Sequence, residues 1–238
     1  MHFLLSGEGP TDLGVCSNGA HLCGSESFLP GPMALMVDQF VELQHGYSPL
    51  DAGVCRYVPE ATLVDRATEL KAARKPLALP GKKRGKETRY YFNNARALAR
   101  IATEQQGQLG DEVVAVLFRD SDGTASAGRG LWPDKLQSMN DGFAEDGFKR
   151  GVPMLPRPKS EAWLICALKH EYRTCAQLEE RSGNDHSPDS LKKELEAHLG
   201  AIPSREELCQ FVEDRRIDCR RIDMESFSRF RDTLLKVI

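Results

Sequence analysis

The sequence lacks the features that mark several large protein classes. No stretch approaches the ~20 consecutive apolar residues of a membrane-spanning helix, and 28% of the residues are charged, so we expect no membrane contact. Neither a Walker A motif nor a G-x-G-x-x-G motif is present, which argues against binding of ATP or NAD by the chain itself. The first residues, MHFLLSGEGP, have neither the basic region nor the long apolar region of a signal peptide. A cytoplasmic location is the expectation.

The chain also lacks paired cysteine motifs. Its seven cysteines are an odd number and include no C-x-x-C pair, a usage that predicts free thiols in a reducing compartment. A zinc site made of Cys16, His21 and Cys23 is conceivable, but the spacing fits no standard zinc site.

No strong excess of positive charge is present either. The formal net charge is -3, so a nucleic-acid-binding surface would have to be a local basic patch. The strongest candidate is a basic cluster followed by Tyr90 and Tyr91, made of Lys82, Lys83, Arg84, Lys86 and Arg89. Such a cluster can hold phosphates while the tyrosines stack on bases. A solvated loop beside a helix whose tyrosines face the core explains the same pattern equally well.

Apolar segments alternate with segments of helical periodicity along the chain. We predict strands at 2–6, 54–58, 112–119 and 151–155, and helices at 33–44, 61–75, 91–106, 133–145 and 160–169. A helix start is also predicted at Pro10, and loops are predicted at 16–32 and 79–89. This alternation predicts an α/β fold with a mainly parallel sheet flanked by helices. The charged remainder, residues 171–238, predicts a helical C-terminal extension packed on a domain formed by residues 1–170.

Acidic residues stand where predicted strands end or where a helix begins. Glu8 and Asp12 (GEGPTD) follow the first strand, Asp120 and Asp122 (DSDG) follow the strand at 112–119, and Glu161 opens a late helix. Ligands of parallel α/β sheets bind at the carboxyl ends of the strands, and clustered carboxylates are typical ligands of Mg²⁺ acting on phosphates. Taken singly, each motif is explained as well by a turn or by a charge at a helix start.

The two motifs GEGPTD and DSDG resemble those of the Toprim domain shared by topoisomerases, primases and OLD-type nucleases. The later segment PRPKSEAWLICAL is similar to a motif of a small Toprim-like bacterial family, DUF4276. The resemblance covers about residues 1–170 and implies a Toprim-like, Rossmann-like sheet.

The resemblance implies a role for each matching residue. Glu8 would be a metal ligand or a general acid or base, Asp120 and Asp122 the main ligands of Mg²⁺ or Mn²⁺, and Asp12 a further ligand. Glu161 would match a catalytic acidic residue on a later helix, and Lys159 would stabilise phosphate charge. The pattern assigns no role to Arg119, which precedes Asp120.

These roles predict a metal-dependent nuclease that hydrolyses phosphodiesters of DNA or RNA. By analogy with the family, an ATPase partner protein and a role in anti-phage defence are expected. One alternative is a non-catalytic, Toprim-like regulatory or scaffold subunit of an ATPase complex. A second is phosphotransfer on nucleotides, which would not require an extended basic surface.

Overall fold

The strands and helices are described for most of the chain. The computed structural model describes residues 1–72, 86–121, 132–168 and 175–238. The strands are β1 (His2–Gly7), β2 (Gly14–Cys16), β3 (Cys23–Gly24), β4 (Phe28–Pro30), β5 (Cys55–Val58), β6 (Val113–Phe118) and β7 (Gly151–Met154). The helices are α1 (Pro32–His45), α2 (Glu60–Ala72), α3 (Lys86–Leu109), α4 (Trp132–Ala144), α5 (Ser160–Leu168), α6 (Cys175–Leu178), α7 (Leu191–Leu199), α8 (Arg205–Glu213) and α9 (Glu225–Leu235). A π-helical turn covers Gly9–Leu13, and a 3-10 turn covers Cys219–Arg221.

A five-stranded sheet lies at the centre, in the order β3-β5-β1-β6-β7. The contacts β5–β1, β1–β6 and β6–β7 are parallel, and only the short β3 runs antiparallel to its neighbour β5. The prediction of an α/β fold with a mainly parallel sheet is confirmed. In the register of β1 and β6, His2 pairs with Val113 and Gly7 with Phe118. The residues that follow these two strands therefore emerge side by side.

Helices cover both faces of the sheet. Along β1, Phe3 and Leu5 face α1, α5 and the C-terminal helices, whereas Leu4 faces the layer formed by α2, α3 and α4. Every residue of β6 is buried, as expected for a central strand that is covered on both sides. The continuous apolar sequence VVAVLF is what predicts such a strand.

The C-terminal helices complete one of the two core layers. The indole of Trp163 in α5 packs edge-on against Phe227 at a centroid distance of 5.0 Å and lies 5.8 Å from Phe230, both in α9. The indole nitrogen donates a hydrogen bond to the Ser226 hydroxyl at 2.8 Å. The segment after residue 174 thus holds in place the helix that begins at Ser160. A division into two domains at residue 170 stays a prediction.

Several local predictions need correction. The helix expected at Pro10 is a single π-helical turn, Gly9–Leu13, and the loop expected at 16–32 contains β3 and β4, with β4 pairing to β2. Of the loop expected at 79–89, residues 86–89 belong to α3, while residues 79–85 lie outside the described residues. Closely spaced charges fit an exposed helix end as well as a loop, which is why composition alone misplaced this boundary.

The cysteine prediction is wrong for four of the seven residues. Disulfide bonds join Cys16 to Cys23 and Cys166 to Cys175. The first bond also removes the conceivable zinc site, since it consumes both thiolate ligands. The three free cysteines are Cys55, Cys209 and Cys219.

Within the ranges that the structure describes, no helix has the length and apolar character needed to cross a membrane.

Candidate functional site

The carboxyl ends of β1 and β6 bring Glu8 and Asp120 together. Because Gly7 pairs with Phe118, Glu8 lies beside the segment that begins at Arg119. The main-chain amide of Asp120 donates a hydrogen bond to Glu8 Oε1 at 2.7 Å. Gly7 allows this approach, since a Cβ atom there would lie 2.9 Å from the Cβ atom of Phe118. The predicted convergence of Glu8 and Asp120 at one sheet edge is present in the structure.

Ser160 links two further acidic residues to this edge. It is the first residue of α5 and is buried. Its hydroxyl donates to Asp12 Oδ1 at 2.8 Å, and its amide donates to Asp120 Oδ1 at 2.9 Å. Asp120 therefore accepts one of the main-chain N–H groups at the start of α5, where the helix dipole favours a negative charge. Asp12 and Asp120 thus lie within hydrogen-bond distance of one residue.

Asp12 reaches Ser160 because the chain turns sharply after Glu8. Gly9 has a φ of +73°, a conformation that glycine adopts without the steric cost paid by other residues. The π-helical turn that starts at Gly9 then carries Asp12 back towards α5. The geometry of the site therefore requires glycine on both sides of Glu8, independently of the resemblance of this motif to Toprim domains.

The carboxylates of this site are close enough to repel one another. Burial raises the pKa of Asp12 to about 6, and the charges of Glu161 and Glu8 act in the same direction, against the lowering effect of the Ser160 hydrogen bond. Glu161 Oε2 is buried and has no hydrogen-bond donor among the described residues. A cation at this position would relieve both the repulsion and the unpartnered oxygen.

A buried arginine, not predicted from the sequence, completes the site. Arg119 has a 1% exposed side chain, and its Nη1 donates to Glu8 Oε2 at 3.1 Å and to Glu60 Oε1 at 2.8 Å. Glu60 also accepts a hydrogen bond from the Tyr90 hydroxyl, and the guanidinium lies 4.8 Å from the Tyr90 ring centroid. A charged residue at the end of the apolar run VVAVLF, directly before an acidic pair, is the signal that could have identified Arg119.

The electrostatics of this group follow from burial and pairing. Burial raises the pKa of Tyr90 to about 12, and the hydrogen bond to Glu60 adds to that rise. Burial alone would raise the pKa of Glu60, but Tyr90 and Arg119 lower it overall. Glu60, Tyr90 and Arg119 therefore form a charged cluster with an ionised carboxylate and a neutral phenol near neutral pH.

Asp120 and Ser121 are held by hydrogen bonds to their main-chain atoms and to the Ser121 hydroxyl. Pro158 O accepts hydrogen bonds from the amide of Ser121 at 3.0 Å and from its hydroxyl at 3.2 Å. The Tyr91 hydroxyl donates to Asp120 O at 2.7 Å, and the buried Lys135 ammonium donates to Ser121 O at 2.6 Å. These contacts fix the direction in which the chain leaves Asp120.

The remaining predicted residues are placed as follows. Lys159 donates to Asp185 at 2.8 Å, so its ammonium is engaged by a carboxylate outside the acidic site. Arg89 is exposed in the first turns of α3, one residue before Tyr90. Lys86 begins α3. Asp122 and the basic residues Lys82, Lys83 and Arg84 lie outside the described residues.

The donor set suits a hard divalent cation. Carboxylate oxygens are the preferred protein ligands of Mg²⁺, and Asp12, Asp120 and Glu161 surround the start of α5. Over the described ranges, however, no three Asp, Glu, His or Cys side chains are already grouped as ligands of one metal ion. Glu8 and Asp120 instead hold protein hydrogen-bond donors. A bound cation would complete its shell with water, as Mg²⁺ usually does.

Comparisons with known proteins supply no relative. No protein-family model, curated protein or solved structure matches the chain. The Toprim-like character stays a prediction that rests on GEGPTD, DSDG and PRPKSEAWLICAL.

Proposed function

We propose that the protein is a Toprim-like, Mg²⁺- or Mn²⁺-dependent nuclease that hydrolyses phosphodiester bonds of DNA or RNA. The observation that carries the proposal is the double hydrogen bond from Ser160 to Asp12 and Asp120, with Glu8 held by the amide of Asp120. Three chain segments far apart in sequence thereby place acidic side chains at one sheet edge. Structural caps of a helix or turn do not require acidic side chains from separate chain segments at one sheet edge.

The proposed roles follow the donor chemistry. Asp12, Asp120 and Glu161, with Glu8 and Asp122, would hold the cation. When bound, the cation would lower the pKa of a bound water and stabilise charge on the leaving oxygen. Without a cation the pKa of Asp12 is about 6, and the positive charge of a bound cation would lower it, so that Asp12 would bind as a carboxylate.

A nuclease also needs cations for the negative phosphates. Lys159, the predicted candidate, already holds Asp185. Arg157 is half-buried two residues earlier, and within the described part of the chain it forms no hydrogen bond or ion pair. We assign the scissile phosphate to Arg157 together with Lys159. We assign the flanking phosphates to Arg89 and the basic cluster before it, where backbone charge can be neutralised along a strand.

The test is cleavage of supercoiled plasmid, single-stranded DNA and total tRNA with Mg²⁺ or Mn²⁺, against EDTA. The expected result is metal-dependent cutting that is lost in the double variant Asp120→Ala, Asp122→Ala. Asp146→Asn is the matched control. Asp146 lies between α4 and β7, at the opposite edge of the sheet, and pairs with Arg96 and Arg100 of α3. The variant should cut like the unchanged protein.

Binding of Mn²⁺, measured by electron paramagnetic resonance, separates the proposal from its rival. A chain that neither cuts nor binds Mn²⁺ would refute the nuclease and favour the non-catalytic scaffold subunit. Binding without cutting would point to an activating partner, for which an ATPase is proposed from the family resemblance alone. Mixing with such a partner should then restore cutting. A role in anti-phage defence is proposed on the same analogy.

A further inference from the structure

Both carboxylate oxygens of Glu8 are held by two consecutive residues. The amide of Asp120 donates to Oε1 at 2.7 Å, and Nη1 of Arg119 donates to Oε2 at 3.1 Å. A carboxylate bound at both oxygens has a fixed orientation. Each oxygen can still accept a second interaction, so Glu8 remains able to bind a cation from the open side of the sheet edge.

Arg119 is itself held firmly in place. Its side chain is 1% exposed, lies under the ring of Tyr90 and shares Nη1 with Glu60. Its Nε and Nη2 are buried and have no acceptor among the residues that the structure describes. Buried N–H groups without acceptors are unfavourable. The guanidinium therefore does not form the largest possible number of hydrogen bonds. The arrangement instead directs one nitrogen to two carboxylates.

We infer that Arg119 is a positioning residue that orients Glu8 for cation binding in the proposed metal site. This role rests on the proposed function. Arg119 is a cation and cannot be a ligand, so it acts only through Glu8. Glu60 shares Nη1 with Glu8, and the Tyr90 ring lies against the guanidinium; these contacts keep Nη1 directed at Glu8. Outer residues of this kind commonly change metal affinity when they are replaced.

The test measures Mn²⁺ affinity by electron paramagnetic resonance and folding by circular dichroism. Arg119→Met should weaken Mn²⁺ binding by about 10-fold or more, the effect typical of outer-shell residues. Arg119→Lys should bind with intermediate affinity, because only one nitrogen of Arg119 contacts Glu8. Arg96→Met is the matched control, since Arg96 also pairs with a carboxylate, Asp146, but lies away from the candidate site. It should keep the affinity of the unchanged protein even where it lowers stability.

A double variant shows whether Arg119 acts through Glu8. In a Glu8→Gln background, Arg119→Met should cause no further loss of Mn²⁺ affinity, because the residue it orients is already gone. An additional loss of the same size as in the single variant would overturn the inference. If Arg119→Met does not fold, Arg119→Lys is compared in the two backgrounds by the same criterion.

The outcomes separate this inference from the proposed function. Unchanged Mn²⁺ affinity in a folded Arg119→Met protein would overturn the positioning role and leave the nuclease proposal intact. Equal losses in Arg119→Met and Arg96→Met would also overturn it, since a merely structural arginine predicts that result. If the unchanged protein binds no Mn²⁺, the proposed function fails, and the positioning role fails with it.

Discussion

Asp12 carries a stability cost that replacement by asparagine should remove. Burial, with the charges of Glu161 and Glu8, raises its pKa from 3.8 to about 6. A difference of this size between the folded and unfolded chain corresponds to about 3 kcal/mol at neutral pH. An asparagine side chain at this position would keep an oxygen that accepts the Ser160 hydroxyl but would carry no charge. The variant Asp12→Asn should therefore be more stable than the unchanged protein at pH 8 by about 3 kcal/mol.

The sign of the pH dependence follows from the raised pKa. The folded chain binds the Asp12 proton more tightly than the unfolded chain, so the associated stability is fully present below about pH 4 and is lost as pH rises through about 6. The advantage of Asp12→Asn should accordingly shrink to ~0.5 kcal/mol at pH 4. Urea denaturation in EDTA, followed by circular dichroism at pH 4, 6 and 8, measures both proteins.

A carboxylate with the opposite shift provides the control. Hydrogen bonds from Arg96 and, to a smaller extent, from Arg100 lower the pKa of Asp146. The folding stability that Asp146 contributes is therefore present above its unfolded pKa and is lost as pH falls. Asp146→Asn should therefore be less stable than the unchanged protein at pH 8 and approach it in acid. A pH-independent effect of Asp12→Asn, or a loss of stability at pH 8, would refute the account of crowded carboxylates.

Three further predictions concern the site's support and the core. Tyr90→Phe should remove one phenol that ionises near pH 12, since burial and Glu60 raise the pKa of Tyr90; alkaline absorbance titration measures the loss. Trp163→Ala should lower the free energy of unfolding by about 3–5 kcal/mol because it leaves a cavity beside Phe227, as urea denaturation would show. Gly142→Ala should cost about 1–3 kcal/mol in the same assay, because a Cβ atom there would lie 2.4 Å from the main chain of α3.

The sheet could be predicted because its strands are encoded locally. The run VVAVLF and the shorter run after Met1 are apolar enough to identify β6 and β1. β2 and β4 have three residues each and pair across a disulfide-bonded loop, so neither has a recognisable period. Disulfide pairing depends on which chain segments meet in space, and the spacing of seven cysteines does not contain that information.

The acidic part of the site was predictable for a similar reason. Glu8 and Asp120 directly follow strands, and parallel strands share one carboxyl edge. Arg119 was missed because a charge at the end of an apolar run is ordinarily assigned to solvent, whereas here two carboxylates from other segments allow its burial. Ser160 was predicted only as a helix start. Its contact with Asp12 joins residues 148 positions apart, which no local pattern encodes.

The aromatic contact between α5 and α9 has a consequence for how this chain tolerates shortening. A protein ending before Cys175 would retain every acidic residue of the candidate site, yet it would present the Trp163 face of α5 to water. An apolar surface of that kind favours self-association, and the helix that presents Ser160 would lose its backing. Premature stop codons that remove α9 should therefore act as null alleles, even though they delete none of the candidate metal ligands.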